Sequence, residues 1–228
     1  LTLQGLAGND IFMVTATSIP IHVNGGDPIA SGDTLTLTGD IDAVAFMAGP
    51  QNDEGSFVVD SNQPVSFDEI ESINVTDTVG NNMDVTVMGT GADDNITAVG
   101  AGAQVVAVQV NAGAIVTYSG LDTLMLQGKN GDDDFDIDVN GLMNVAITVD
   151  GGNPSTNSDV VTVTGTSGMD MPNYTPAAVD SGSLAIGGLT TAINLDNVER
   201  LIVDGENDGE TLTVTLAAGA ARTITHGR

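Results

Sequence analysis

Five aspartates fall within seven residues of the stretch GKNGDDDFDIDV, Gly128–Val139: Asp132, Asp133, Asp134, Asp136 and Asp138. Carboxylates at that density either clamp a cation or wet the outer edge of a strand. Alternation decides for three of them. Phe135, Ile137 and Val139 fall on one face and Asp134, Asp136 and Asp138 on the other, which predicts a half-buried strand with an acidic outer side. Asp132 and Asp133 remain as candidate ligands. A calcium ion takes six to eight oxygens and one loop offers two or three, so a site here requires a second loop stacked alongside.

Related corners recur. GLAGNDIFM (Gly5–Met13) carries Gly8, Asp10 and Phe12 where GKNGDDDFD carries Gly131, Asp133 and Phe135. GTGADDNIT (Gly89–Thr97) keeps Gly89, Asp94 and Ile96; GTSGMDMPN (Gly165–Asn173) keeps Gly165, Gly168 and Asp170; GENDGETLT (Gly205–Thr213) has Glu210 for the aspartate. These corners resemble the RTX, or hemolysin-type calcium-binding, repeat G-G-x-G-x-D-x-U-x, with Leu6, Lys129, Thr90, Thr166 or Glu206 at the second glycine. The resemblance implies a parallel β-roll, secretion, and calcium held between adjacent coils, with Asp10, Asp94, Asp132, Asp133 and Asp170 as ligands. The alternative reading is a plain turn, in which glycine supplies a positive φ and aspartate caps backbone N–H groups.

Composition narrows the chemistry. Against 31 acids stand Lys129, Arg200, Arg222 and Arg228, for a net charge of -27. Such a chain repels phosphate backbones and anionic lipid surfaces, which excludes nucleic acid and favours divalent cations as partners. Four basic residues do not suit a lyase acting on acidic sugars, and a chain without Trp lacks the usual platform of a glycosidase. His22 and His226 stand alone, and no GxSxG, HExxH or phosphate-loop pattern occurs. The chain is read as no enzyme. It has no cysteine, hence neither disulfide nor thiolate site, and no apolar run of the roughly 18 residues that span a membrane.

The elements that must carry these corners are strands. DTLTLT, VVTVT, NVAITV, VVAVQV and TLTVTL alternate or run in β-branched residues between Gly, Asn and Asp. Laid on itself, the chain matches four times in order. LTLQGLAGNDIFMV at Leu1 meets LMLQGKNGDDDFDI at Leu124; HVNGGDP at His22 meets TVDGGNP at Thr148. DTLTLTGD at Asp33 meets DVVTVTGT at Asp159, and FDEIESINV at Phe67 meets LDNVERLIV at Leu195. A duplication follows, with repeat 1 at 1–123 and a truncated repeat 2 at 124–228. A finer pattern, apolar-x-apolar-x-Gly or Asp, recurs at Leu1, Ile73, Leu124 and Leu201.

The expected fold is all-β, a β-solenoid of the parallel β-helix or β-roll kind built of internal repeats, with tandem β-sandwiches as the alternative. Scarce aromatics and 29 glycines favour small corners around an aliphatic interior. The start at Leu1, inside a strand-like stretch, reads as a processed chain or a window from a longer protein. The function expected is that of an extracellular or cell-surface structural repeat protein, part of a bacterial fibre, layer or adhesin stalk. It would self-associate or continue into further repeats, with calcium at its acidic loops. The alternative is a calcium-dependent adhesin or carbohydrate-binding module.

Overall fold

The structure, a computed structural model, describes residues 1–27, 32–153, 159–187, 189–206 and 211–215. Every regular element among them is a strand, and no helix is long and apolar enough to cross a membrane. Glu210 and His226 lie outside the described residues.

The chain weaves between two sheets. β1 (Thr2–Ala7) lies in the first, β2 (Ile11–Val14) in the second, β3 (Ile21–Asp27) in the first again and β4 (Thr34–Gly39) in the second. Three strands then stay in the first sheet: β5 (Ala43–Ala48), β6 (Gly55–Val59) and β7 (Val65–Asp68). β8 (Ser72–Asp77) crosses over and β9 (Met83–Met88) crosses back. The next three, β10 (Asn95–Gly102), β11 (Val105–Val110) and β12 (Ile115–Ser119), stay in the second sheet.

From β13 (Leu121–Asn130) the itinerary starts again. β13, β15 (Ala146–Asn153) and the trio β17 (Asn173–Pro176), β18 (Gly182–Ala185) and β19 (Ile193–Asp196) join the first sheet, as does β21 (Thr213–Val214). β14 (Asp134–Asp138), β16 (Val160–Thr164) and β20 (Arg200–Asp204) join the second. The path of β13–β21 is therefore that of β1–β9. Backbone angles follow the match: φ is 80° at both Leu6 and Lys129, 123° and 132° at Gly8 and Gly131, and 57° and 53° at Glu69 and Asn197.

Among the described residues, antiparallel pairs occur only inside the three-strand excursions β5–β7, β10–β12 and β17–β19, and every other ladder is parallel. β9 pairs with β13 and β10 with β14, so both sheets run unbroken across the join between the matched halves. In-register pairing stacks apolar residues in rows, one of them Phe12–Leu35–Ile73–Val116 across β2, β4, β8 and β12. Leu35, Ile73 and Val116 are buried, and each fully buried side chain of this size contributes about 1.5–3 kcal/mol. Alternation sets which side faces in. On β14 Phe135 and Ile137 are buried, with Val139 just beyond, while Asp134 and Asp136 are exposed.

The finer pattern does not mark equivalent strands. Leu1 leads into the first sheet, whereas Ile73 sits on β8 in the second. Any half-buried strand shows period-2 alternation, whichever sheet it joins.

Candidate functional site

Every passage from the first sheet to the second turns at an acidic corner. Asp10 lies between β1 and β2, Asp33 between β3 and β4, and Glu71 between β7 and β8. Asp94, Asp133, Asp159 and Glu199 hold the same place before β10, β14, β16 and β20. Parallel stacking lines these corners along one edge of the molecule.

There they join through main-chain donors. The Asp10 N–H donates to Asp33 Oδ1 at 2.6 Å, and the Asp33 N–H to Glu71 Oε2 at 2.6 Å. In the second set the Asp94 N–H donates to Asp133 Oδ1 at 2.8 Å, the Asp133 N–H to Asp159 Oδ1 at 2.9 Å, and the Asp159 N–H to Glu199 Oε2 at 2.8 Å. Every carboxylate but that of Asp10, which joins through its N–H, thus ties its strand to the one before, forming two columns: Asp10–Asp33–Glu71 and Asp133–Asp159–Glu199. Asp33, Asp133 and Asp159 have no exposed surface at all.

One oxygen of each pairing carboxylate is used; the other is a different matter. Asp10 Oδ2, Asp33 Oδ2, Glu71 Oε1, Asp133 Oδ2 and Glu199 Oε1 are buried and accept no hydrogen bond among the described residues. They crowd against glycine. A methyl group at Gly25 would meet Asp33 Oδ2 at 2.5 Å together with the Glu69 carbonyl oxygen. At Gly128 it would meet Asp133 Oδ2 and, at 2.5 Å, the Gly151 carbonyl oxygen; at Gly5, Asp10 Oδ2 at 2.5 Å and the Gly25 carbonyl oxygen. Only glycine lets a carboxylate and a carbonyl of the next strand approach so closely.

Charge follows from this burial. Desolvation pushes the Asp133 carboxyl up to about 6, against the pull of the Asp94 N–H, and the neighbouring charges of Asp159, Asp94 and Asp93 add to the rise. Asp77, buried where β8 ends, shows the opposite balance. Desolvation raises it, but N–H groups of Val79, Ile41, Asn82 and Asn81 together outweigh that and hold it below the ordinary carboxylate value.

The corners with threonine after the glycine are built differently. At Gly89–Asp94 the Thr90 N–H donates to Asp94 Oδ2 at 2.7 Å, the Thr90 hydroxyl donates to the same carboxylate, and Asn111 Nδ2 adds a bond to Oδ1 at 2.7 Å. At Gly165–Asp170 the Thr166 N–H reaches Asp170 Oδ2 at 2.6 Å and its hydroxyl reaches Oδ1 at 2.7 Å. Here the plain-turn reading describes what the carboxylate does.

Of the five aspartates singled out from sequence, Asp10 and Asp133 belong to the two columns and Asp94 is tied to the second by its N–H. Asp132 is exposed, its N–H bonded to Asp93 Oδ1 at 2.9 Å. Asp170 lies on the opposite edge, where β16 returns to β17. Among the described residues no three acidic or imidazole side chains converge on one point, so a cation at this edge would take its remaining ligands from backbone carbonyls. Sequence reasoning passed over Asp33, Asp159, Glu71 and Glu199. The duplication held the signal, for Asp33 matches Asp159 and Glu71 matches Glu199 in its aligned segments.

Between the two columns the same edge is interrupted by the tips of two excursions. The β5–β6 turn and the β11–β12 turn meet there, with the Ala114 N–H donating to the Asn52 carbonyl oxygen at 2.9 Å. They frame a cleft of about 610 Å³ lined by Gln51, Asn52, Asp53, Glu71 and Gln109. Comparison with protein-family models, curated proteins and solved structures returns no match for this chain.

Proposed function

We propose that this chain is a β-solenoid segment of an extracellular bacterial repeat protein, serving as a structural element of a surface fibre, layer or adhesin stalk. Divalent cations, calcium first among them, neutralise its acidic corners in the manner of the RTX-like repeats it resembles. The observation that supports this most is the stacking of two matched strand itineraries onto one continuous pair of sheets, with buried carboxylates aligned along one edge. Such an arrangement converts repeated sequence into length, which suits a mechanical role better than a catalytic one. Self-association or continuation into further repeats belongs to the same reading, since among the described residues both sheets grow by adding parallel strands along one axis.

Thermal unfolding in EDTA, calcium and magnesium, with electron microscopy of the same samples, tests the reading. Calcium is expected to raise the midpoint and to favour filaments. A midpoint indifferent to all three conditions overturns the cation role.

The cleft between the excursion tips favours a second reading, a calcium-dependent adhesin or carbohydrate-binding module. Amide side chains of Gln51, Asn52 and Gln109 are suited to hydroxyl groups of a neutral sugar. Binding on a glycan array, lost in Gln51→Ala/Asn52→Ala, supports it; an unresponsive array leaves the scaffold.

A further inference from the structure

We propose that the cations are held by the two columns Asp10–Asp33–Glu71 and Asp133–Asp159–Glu199, and that Thr90 and Thr166 stand in for a cation at Asp94 and Asp170. This rests on the cation reading above and assigns it residue by residue.

The residue after the corner glycine makes the distinction. Before Asp10, Asp33, Asp133 and Asp159 it has positive φ, 80° at Leu6 and Lys129, 98° at Gly26 and 104° at Gly152, and at the first three of these corners it gives the carboxylate no donor. In the other corners it is threonine, whose N–H and hydroxyl both reach the aspartate. A buried carboxylate oxygen without a donor is costly, and neighbouring carboxylates repel one another through a poorly solvated medium. Asp33 and Asp133, with no exposed surface, each leave one oxygen in that condition beside a main-chain carbonyl, that of Glu69 or Gly151.

What gathers there is a set of oxygens alone: carboxylate and carbonyl, with neither sulfur nor imidazole. That donor set selects a hard divalent cation of the calcium and magnesium class. At the threonine corners the protein itself supplies the positive ends of the dipoles, and nothing is left for an ion to satisfy. Lys129 and Leu6 are unlike in chemistry yet alike in backbone, so conformation rather than side chain marks the cation corners.

Equilibrium dialysis of the 228-residue chain against calcium, with bound metal measured by atomic emission, tests the assignment. Asp33→Asn/Glu71→Gln and Asp133→Asn/Glu199→Gln are each expected to lose about half of the bound calcium, and their combination nearly all of it. Asp94→Asn/Asp170→Asn is expected to bind as much as the unaltered chain. Undiminished binding by both column variants, or an equal loss from Asp94→Asn/Asp170→Asn, overturns the assignment while leaving the cation reading standing. An unaltered chain that binds no calcium overturns both.

Amide hydrogen exchange on the unaltered chain gives the same test without substitutions. Calcium is expected to slow exchange at 5–10 and 128–133 and to leave 89–93 and 165–170 unchanged, while the Asp94 N–H, bonded to Asp133 Oδ1, follows the second column. Equal slowing at all four corners overturns the assignment.

Discussion

Asp133 receives the Asp94 N–H on one oxygen and turns the other toward Gly128. Because its folded value is raised to about 6, the charged form is penalised in the fold. The sign follows: in chelator its contribution is most favourable below the unfolded carboxylate value and is lost as pH rises through about 6. Asp133→Asn in EDTA is therefore expected to gain on the unaltered chain as pH rises from 4 to 8, read as the difference between their unfolding midpoints. A difference constant across that range contradicts the burial account. Gly128→Ala forces a methyl against Asp133 Oδ2 and the Gly151 carbonyl, and is expected to cost about 2–4 kcal/mol in denaturant unfolding. Gly91→Ala meets nothing nearer than 4.0 Å and is the silent control. Tyr118, wholly buried on β12, has a hydroxyl with no hydrogen-bond partner among the described residues. Tyr118→Phe is expected to stabilise by about 1 kcal/mol, since it removes a desolvated polar group and little else.

At the scale of elements, alternation made the strands legible and their neighbours illegible. DFDID on β14 announces which face is wet because Asp and Phe differ so sharply in solvation. AVAFMA on β5 and VVAVQV on β11 alternate in the same way as strands in parallel ladders, so nothing in their pattern distinguishes an antiparallel excursion. The column acids were hidden for a related reason. Asp33 and Glu71 each look like ordinary polar residues at a strand boundary, and only their pairing across strands turns them into a column. Phenylalanine placement was equally unreadable: Phe46, Phe57 and Phe67, far apart in sequence, bring their rings within 5.0, 5.7 and 6.4 Å of one another in the first excursion. Phe57→Ala, at a position with no exposed surface, is expected to cost about 3–5 kcal/mol by denaturant titration. A loss below about 1 kcal/mol would mean that the trio does not anchor the excursion.

For the whole molecule the dominant quantity is a net charge of -27 on 228 residues. Self-repulsion of that size is screened by any salt, so sodium chloride alone is expected to raise the unfolding midpoint. Calcium chloride at matched ionic strength is expected to raise it further, and the excess measures site binding as distinct from screening. Equal shifts would reduce the cation effect to screening.

The excursions also fix a dimension. β5–β7 add their strands to the first sheet and β10–β12 add theirs to the second, so β1–β12 place six strands in each. Neither sheet outruns the other, and the stack has no cause to bend towards a shorter side. At about 4.8 Å between strands, one such unit advances the molecule by roughly 29 Å. A polymer assembled from it would carry that period along its axis, a ruler set by strand count and open to measurement by fibre diffraction.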